Sequence, residues 1–308
     1  MVEIIQKDGT WSFETNVLRL TPGRDRSVGL LRRTLGELVI PLEALAGISL
    51  EQGKKSGRLR LRLREGSDPL LHAARGRLTE SNDPYQLTVE PARYGVAEYF
   101  VQEVRNALLL EQVPSDPVTE YLLPGPSVPL SVSAGDGSVS FDGEHVRLEW
   151  NWKTEEVKSA AGARTLALRE ITAVEWQPSA GLEEGHLRFI VRNAPTEASP
   201  KHDPNAVELW GFKKDPLMAL VAAAVQARLP HPAAGDSVPA LGGDTARGRA
   251  GHDRPAEPEA APSPSSSAPE DEHDALLRRL RELGELHRSG VLTDEEFALA
   301  KQAVLKRM

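Results

Sequence analysis

Residues 8–20 read DGTWSFETNVLRL, and residues 136–148 read DGSVSFDGEHVRL. Asp-Gly, Ser-Phe and Arg-Leu fall at the same spacing in both stretches, which marks one structural unit used twice and takes precedence over any single residue. Outward from this pair, residues 10–13 and 17–20 alternate apolar and polar side chains around a short polar turn, the pattern of a strand hairpin. Pro22-Gly23 closes it. A basic connection with Arg24, Arg26, Arg32 and Arg33 leads to LGELVIPLEALAGISLEQ, which reads as strand, bend and strand.

Residues 58–64, RLRLRLR, hold the strictest period-two alternation in the chain. Leu59, Leu61 and Leu63 take one face and Arg58, Arg60, Arg62 and Arg64 the other, as a half-buried strand requires. After Asp83-Pro84 comes a further strand over residues 85–89. The period then changes to helical: Val96, Phe100, Val101, Val104, Leu108 and Leu109 share one face between residues 94 and 111. The second copy keeps this order. RTLALREITAVEWQ answers the strand-bend-strand, GHLRFIVR answers GRLRLRLR, Asp203-Pro204 answers Asp83-Pro84, and residues 217–229 answer the closing helix.

The chain therefore divides into a first module (1–112), a proline-rich and stiff connector (113–127), a second module (128–230), a tether (231–272) and a C-terminal segment (273–308). Rich in Ala, Pro, Ser, Gly and acids, the tether has almost no large apolar side chain to offset the entropy of ordering, so disorder is expected. Several antiparallel strands followed by one amphipathic helix give an α+β class, with each curled sheet plugged by its own helix.

This order, carried by IPLEALAGI and LALREITAV, resembles the pleckstrin-homology-like (PH-like) fold in its GRAM and bacterial forms. The resemblance implies two tandem antiparallel β-barrel or sandwich modules. The tandem as a whole resembles an actinobacterial family described only as a domain of unknown function. At the C-terminus, Leu283, Leu286, Gly290, Leu292, Thr293, Glu296, Phe297 and Lys301 occupy the pattern of the SHOCT domain, which this segment closely resembles. Thr293 and Glu296 form a capping box there, with Leu292 and Phe297 at the staple positions. The SHOCT resemblance implies a two-helix hairpin that self-associates or docks, with Leu280, Leu283, Leu286, Leu292, Phe297 and Val304 as its sticky side. About 35 residues cannot bury enough apolar surface to stand comfortably alone.

Composition limits the chemistry. The 308 residues contain no Cys, which removes disulfides, thiolate nucleophiles and Cys-ligated metals together. Eight His fall singly, without ligand spacing. Glycine pairs lack the context of a phosphate loop, GxSxG is absent, and the paired acids at 155–156 and 183–184 fall in expected loops, so no catalytic residue, metal ligand or cofactor is assigned. A net charge of -8 argues against nonspecific nucleic-acid binding. The start of the chain has no secretory pattern, and its longest apolar run, 217–227, is shorter than the roughly 20 residues that cross a bilayer.

What remains is a surface. Lys54 and Lys55 precede the arginine stripe in a turn, and with Arg58, Arg60, Arg62 and Arg64 they could hold an anionic group, since each guanidinium offers a planar donor fork. The plainer reading is a solvated sheet face interleaved with cross-strand acids. Trp150 and Trp152 fall on one side of an expected strand and read either as core or as an aromatic contact surface. The expectation is a cytoplasmic, non-enzymatic adaptor that binds protein partners and forms homo-oligomers through its hairpin. The alternative is binding of an anionic ligand or lipid through the stripe, peripheral to the inner membrane face. A hydrolase with a site of unfamiliar type is the third class.

Overall fold

A computed structural model describes residues 1–181, 183–192 and 198–235. The tether beyond residue 235 and the hairpin side chains Leu280, Leu283, Leu286, Leu292, Phe297 and Val304 lie outside the described residues.

The first module begins with β1 (Val2–Gln6), β2 (Gly9–Glu14) and β3 (Val17–Pro22), followed by α1 (Leu30–Leu35) and β4 (Leu38–Pro41). A 3-10 turn at Leu42–Ala44 carries the chain into β5 (Leu45–Glu51) and β6 (Gly57–Leu63). Next come α2 (Pro69–Ala74), β7 (Gln86–Val89) and α3 (Tyr94–Leu110). The second module follows the same plan. Its elements are β8 (Leu130–Ala134), β9 (Gly137–Phe141), β10 (His145–Trp150), α4 (Glu156–Ala161) and β11 (Arg164–Ala167). A 3-10 turn at Leu168–Glu170 precedes β12 (Ile171–Gln177), β13 (Gly185–Val191), β14 (Ala206–Leu209) and α5 (Met218–Gln226).

Each module thus has a four-stranded and a three-stranded sheet, with orders β1-β2-β3-β4 and β5-β6-β7 in the first, β8-β9-β10-β11 and β12-β13-β14 in the second. All pairings are antiparallel, and even the register shift near the start of β5 (Leu45/Gly47) recurs in β12 (Ile171/Ala173). The repeat read from residues 8–20 therefore extends to backbone irregularities.

The expected barrel does not close. Where β1 and β2 approach β7, side chains replace the strand ladder: Asp8 Oδ2 accepts from Thr88 N at 2.9 Å and Gln6 Oε1 from Glu90 N at 3.3 Å. The second module does the same at Asp136, whose Oδ1 accepts from Glu208 N at 2.8 Å. Gly135 makes this approach possible. Its φ is +58°, and a Cβ there would lie 1.6 Å from Glu208 O, so only glycine fits.

In β6 the leucines face inward as the alternation requires: Leu59, Leu61 and Leu63 are all buried. The closing helix α3 is rotated from its expected face. It buries Ala97, Phe100, Val101 and Val104, while Val96 and Leu109 are exposed.

Two hydrophobic clusters form, but the line between them does not follow the boundary between the modules. Leu31 of α1 and Leu70, Ala73 and Ala74 of α2 belong to the second module's hydrophobic cluster, packed with α5. Asp68 sets the direction of α2 as its N-cap, accepting from Leu70 N (2.9 Å) and Leu71 N (3.1 Å) ahead of Pro69. Tyr85 Oη donates to the same carboxylate at 2.7 Å. Burial raises both groups' pKa values.

The connector is held down as well. Val118 N donates to Glu65 O, Leu122 N and Leu123 N donate to Ser67 O, and Leu123 is buried in the first module. Residues 231–235, expected to open the tether, return to the same loop: His231 Nε2 lies 3.0 Å from Gly66 O, and its ring packs edge-on to Tyr121.

Candidate functional site: the outer groove of β5–β7

The arginine stripe is divided by its neighbours. Arg58 is 2.6 Å from Glu80, and Arg64 donates to Asp116 O (2.8 Å) and Glu43 O (3.1 Å), which ties the connector to the sheet. Those two guanidinium groups are structural. Arg62 makes a single long bond, 3.4 Å to Ala46 O. Arg60 makes no ion pair among the described residues, and its Nε is buried without a hydrogen-bond partner. Lys54 and Lys55 are exposed in the β5–β6 turn and do not join the groove that Arg60 and Arg62 line.

That groove has a volume of about 490 Å³ and is also lined by Gly47, Ser49, Glu51, Asp83, Tyr85 and Gln86. It exists because of register. Arg62 stands opposite Gly47 and Arg60 opposite Ser49, so small residues on β5 leave open the space that larger side chains would fill. On the other flank Arg60 stands opposite Gln86 of β7.

The repeat supplies an internal control. Arg188 of β13 holds the place of Arg60, opposite Glu175 on one side and Ala206 on the other. In both modules an aspartate Oδ1 caps the start of the last strand: Asp83 accepts from Tyr85 N at 2.9 Å and Asp203 from Asn205 N at 2.8 Å. The second carboxylate oxygen differs. Asp203 Oδ2 is 2.9 Å from Arg188 Nε, an ion pair by distance rather than by alignment, whereas Asp83 Oδ2 accepts from Gln86 Nε2. With Ala206 in the place of Gln86, nothing stands between Arg188 and its aspartate. Gln86 occupies the equivalent carboxylate in the first module and leaves Arg60 unpaired. Arg188 also donates to Ala198 O at 2.7 Å, which completes its engagement.

In the sequence, Asp83-Pro84 and Asp203-Pro204 match only as equivalent positions of the repeat, the first of them ahead of a strand. The signal that these aspartates face an arginine was present in the paired registers 60/86 and 188/206. It became readable only once β7 and β14 were placed. The same holds for the repeated Asp-Gly. Asp136 Oδ2 receives Lys158 Nζ at 2.6 Å with both side chains buried, and Asp8 has Arg32 at 3.8 Å in the same place. Both aspartates belong to the repeated Asp-Gly, but their basic partners lie on short helices that the sequence pattern does not reveal.

The aromatic candidates separate. Trp150 ends β10 and donates to Gly162 O at 2.9 Å, with Lys158 Nζ 4.8 Å from its ring centroid. Trp152 lies beyond the strand, exposed, with Lys153 Nζ 5.4 Å from its ring centroid. His145 is on the surface beside Asp142.

Among the described residues, no group of three or more His, Asp or Glu could hold a metal ion, and no helix is long and apolar enough to cross a membrane. A search of the curated proteins found no match. The model of the short C-terminal domain, SHOCT, matches residues 278–305. The model described as a domain of unknown function, DUF4429, matches residues 11–105 and again residues 139–226, more than half of the chain. Its two matches fall on the two modules, and the chain belongs to the DUF4429 family.

Proposed function

We propose that the protein is a non-enzymatic adaptor, in which the paired DUF4429 modules are a rigid binding platform for protein partners and the SHOCT segment brings copies of the chain together. The observation that carries this reading is the enclosure of α5. All nine of its residues are buried, and α2 of the first module supplies part of the covering. Residues Met1–Ser237 consequently form one compact unit rather than two beads on a string. A platform of this kind presents its surfaces at fixed spacing, which favours recognition of a partner over turnover of a small molecule. A four-stranded sheet, a three-stranded sheet and a closing helix, repeated twice, support the finer reading that the modules are PH-like. Self-association would raise the effective concentration of each weak surface and turn it into avidity.

Light scattering on the eluting full chain tests the assembly. The expectation is a mass that is a multiple of 33.6 kDa, falling to the single-chain value in a Leu286→Asp, Phe297→Asp variant. A wild-type chain that already elutes at the single-chain mass across a wide concentration range would overturn the oligomeric part of the reading.

A further inference from the structure

We propose that the groove outside β5–β7 binds one small oxyanion carrying a hydroxyl, monohydrogen phosphate or the singly protonated form of a phosphomonoester, through Arg60, Arg62 and Gln86. This goes beyond the adaptor reading and does not depend on it. Two atoms at the groove lack partners: Arg60 Nε, a donor, and Gln86 Oε1, an acceptor, both buried. The amide orientation of Gln86 is fixed by its neighbour. Asp83 Oδ2 is an acceptor, so the Gln86 atom facing it is the NH2 group and the carbonyl is left over. A ligand that satisfies both orphans must accept from guanidinium and donate to a carbonyl. A monohydrogen phosphate does this through its anionic oxygens and its O–H, whereas sulfate at neutral pH has no proton to give.

The lining also says what is not taken. Arg60 and Arg62 are balanced formally by Glu51 and Asp83. A groove without net charge exerts little long-range pull on a polyanion, and only a group that reaches the two arginines directly gains their charge-assisted bonds. Space for one such group is provided by Gly47 and Ser49. In the second module the same position is closed by the Arg188–Asp203 pair, with Glu175 opposite, so the described residues provide one such site.

The test is titration calorimetry of the full chain with inorganic phosphate and, separately, with sulfate. Saturable binding of one phosphate per chain is expected, with sulfate weaker by about tenfold or more, the scale of one buried hydrogen bond to a charged ligand. Arg60→Gln should abolish the isotherm. Gln86→Ala, which copies Ala206, should abolish it too although every arginine is kept, because Asp83 is then released to pair with Arg60. Thermal unfolding of both variants separates loss of the site from loss of the fold, and Arg60→Lys, expected to bind weakly, provides a second check. Vesicles containing phosphatidic acid distinguish the sources: co-sedimentation that phosphate competes away places the group on a lipid, and its absence beside a retained isotherm places it on a soluble molecule. No saturable heat, equal affinity for sulfate, or an unchanged isotherm in a folded Gln86→Ala chain overturns the proposal.

Discussion

α3 and α5 close equivalent modules, yet only four of the seventeen residues of α3 are buried, against every residue of α5. The reason is visible in their composition. The outer side of α3 carries Glu98, Gln102, Arg105 and Asn106, all exposed, whereas α5 reads MALVAAAVQ and has no charged residue at all. A helix that is apolar all round must be covered on both sides, and α2 of the first module supplies the second cover. Duplication has thus produced two units with the same sheets and different exteriors. The asymmetry is what joins them.

The sharpest way to break this comparison is at α1 and α4. Leu31 is 0% exposed, packed in the second module's cluster, while Val157 at the equivalent place on α4 is 61% exposed. Leu31→Asp combines loss of a buried leucine with an unpaired buried charge, and should destabilise the chain by about 5 kcal/mol in urea denaturation. Val157→Asp should change stability by no more than about 0.5 kcal/mol. Equal costs would mean that both modules use this helix in the same way.

Next in size is the buried pair. Asp136→Asn leaves Lys158 charged and enclosed, which should cost about 3 kcal/mol or more, whereas the Asp136→Asn, Lys158→Met double variant should regain most of that. In the first module Asp8→Asn should cost only about 1 kcal/mol. There the cation is 3.8 Å away, Arg32 keeps its 3.0 Å bond to Asp8 O, and an asparagine oxygen can still accept from Thr88 N. A double-mutant cycle on each pair measures the difference.

How much of this asymmetry was legible in the sequence follows from how far each signal reaches along the chain. Strand alternation is local, so RLRLRLR gave the inward leucines correctly. The repeat is also a property of sequence, and it carries the order of the strands after β1 and β8 in both modules, but not the division of each module into a four-stranded and a three-stranded sheet. Residues 217–229 read as a closing helix too short to span a membrane, yet the lack of any charged residue from 217 to 227 already implies a second covering layer. The short helices were missed because six residues hold too few turns for a period to show. What directs α2 is instead its cap, Asp68-Pro69, a signal that is in the sequence. The unpaired state of Arg60 depends on Gln86, twenty-six residues away on another strand, and no periodicity reports such a contact.

A smaller effect separates the modules by pH. Burial pushes the Asp136 carboxyl up to about 6, overcoming the opposite pull of the Lys158 ammonium. In the unfolded chain the same group titrates near about 3.9, so the folded chain holds the extra proton between these values. The stability this proton contributes is present in full below about pH 3.9 and is lost as pH rises through about 6. Relative to the Asp136→Asn, Lys158→Met reference, the wild-type chain should gain about 1 kcal/mol when the pH is lowered from about 7 to about 5. Urea midpoints of the two chains across that range measure it, and a gap that narrows on acidification would reverse the assignment.

The smallest difference lies at the C-terminal ends of the two closing helices. α3 runs out into Leu109 and Leu110, 76% and 81% exposed, whereas the end of α5 and the chain beyond it are fastened back onto the connector and the first module. Gln226 Nε2 donates to Tyr121 Oη at 2.9 Å, and the His231 ring reaches Gly66 O through Nε2 while its Nδ1 accepts from Ala233 N at 3.2 Å. Those two contacts require a neutral ring with its proton on Nε2. His231→Phe keeps the edge contact with Tyr121, whose centroid is 4.7 Å away, but removes both bonds, and should cost about 0.5–1 kcal/mol. Leu110→Ala should cost less than about 0.5 kcal/mol, because its side chain is already in water. Hydrogen exchange gives the finer reading. Faster exchange in His231→Phe at Leu122 and Leu123, whose amides donate to Ser67 O beside Gly66, would show that the fastening steadies the connector as well as the helix. Unchanged exchange there would confine its effect to the end of α5.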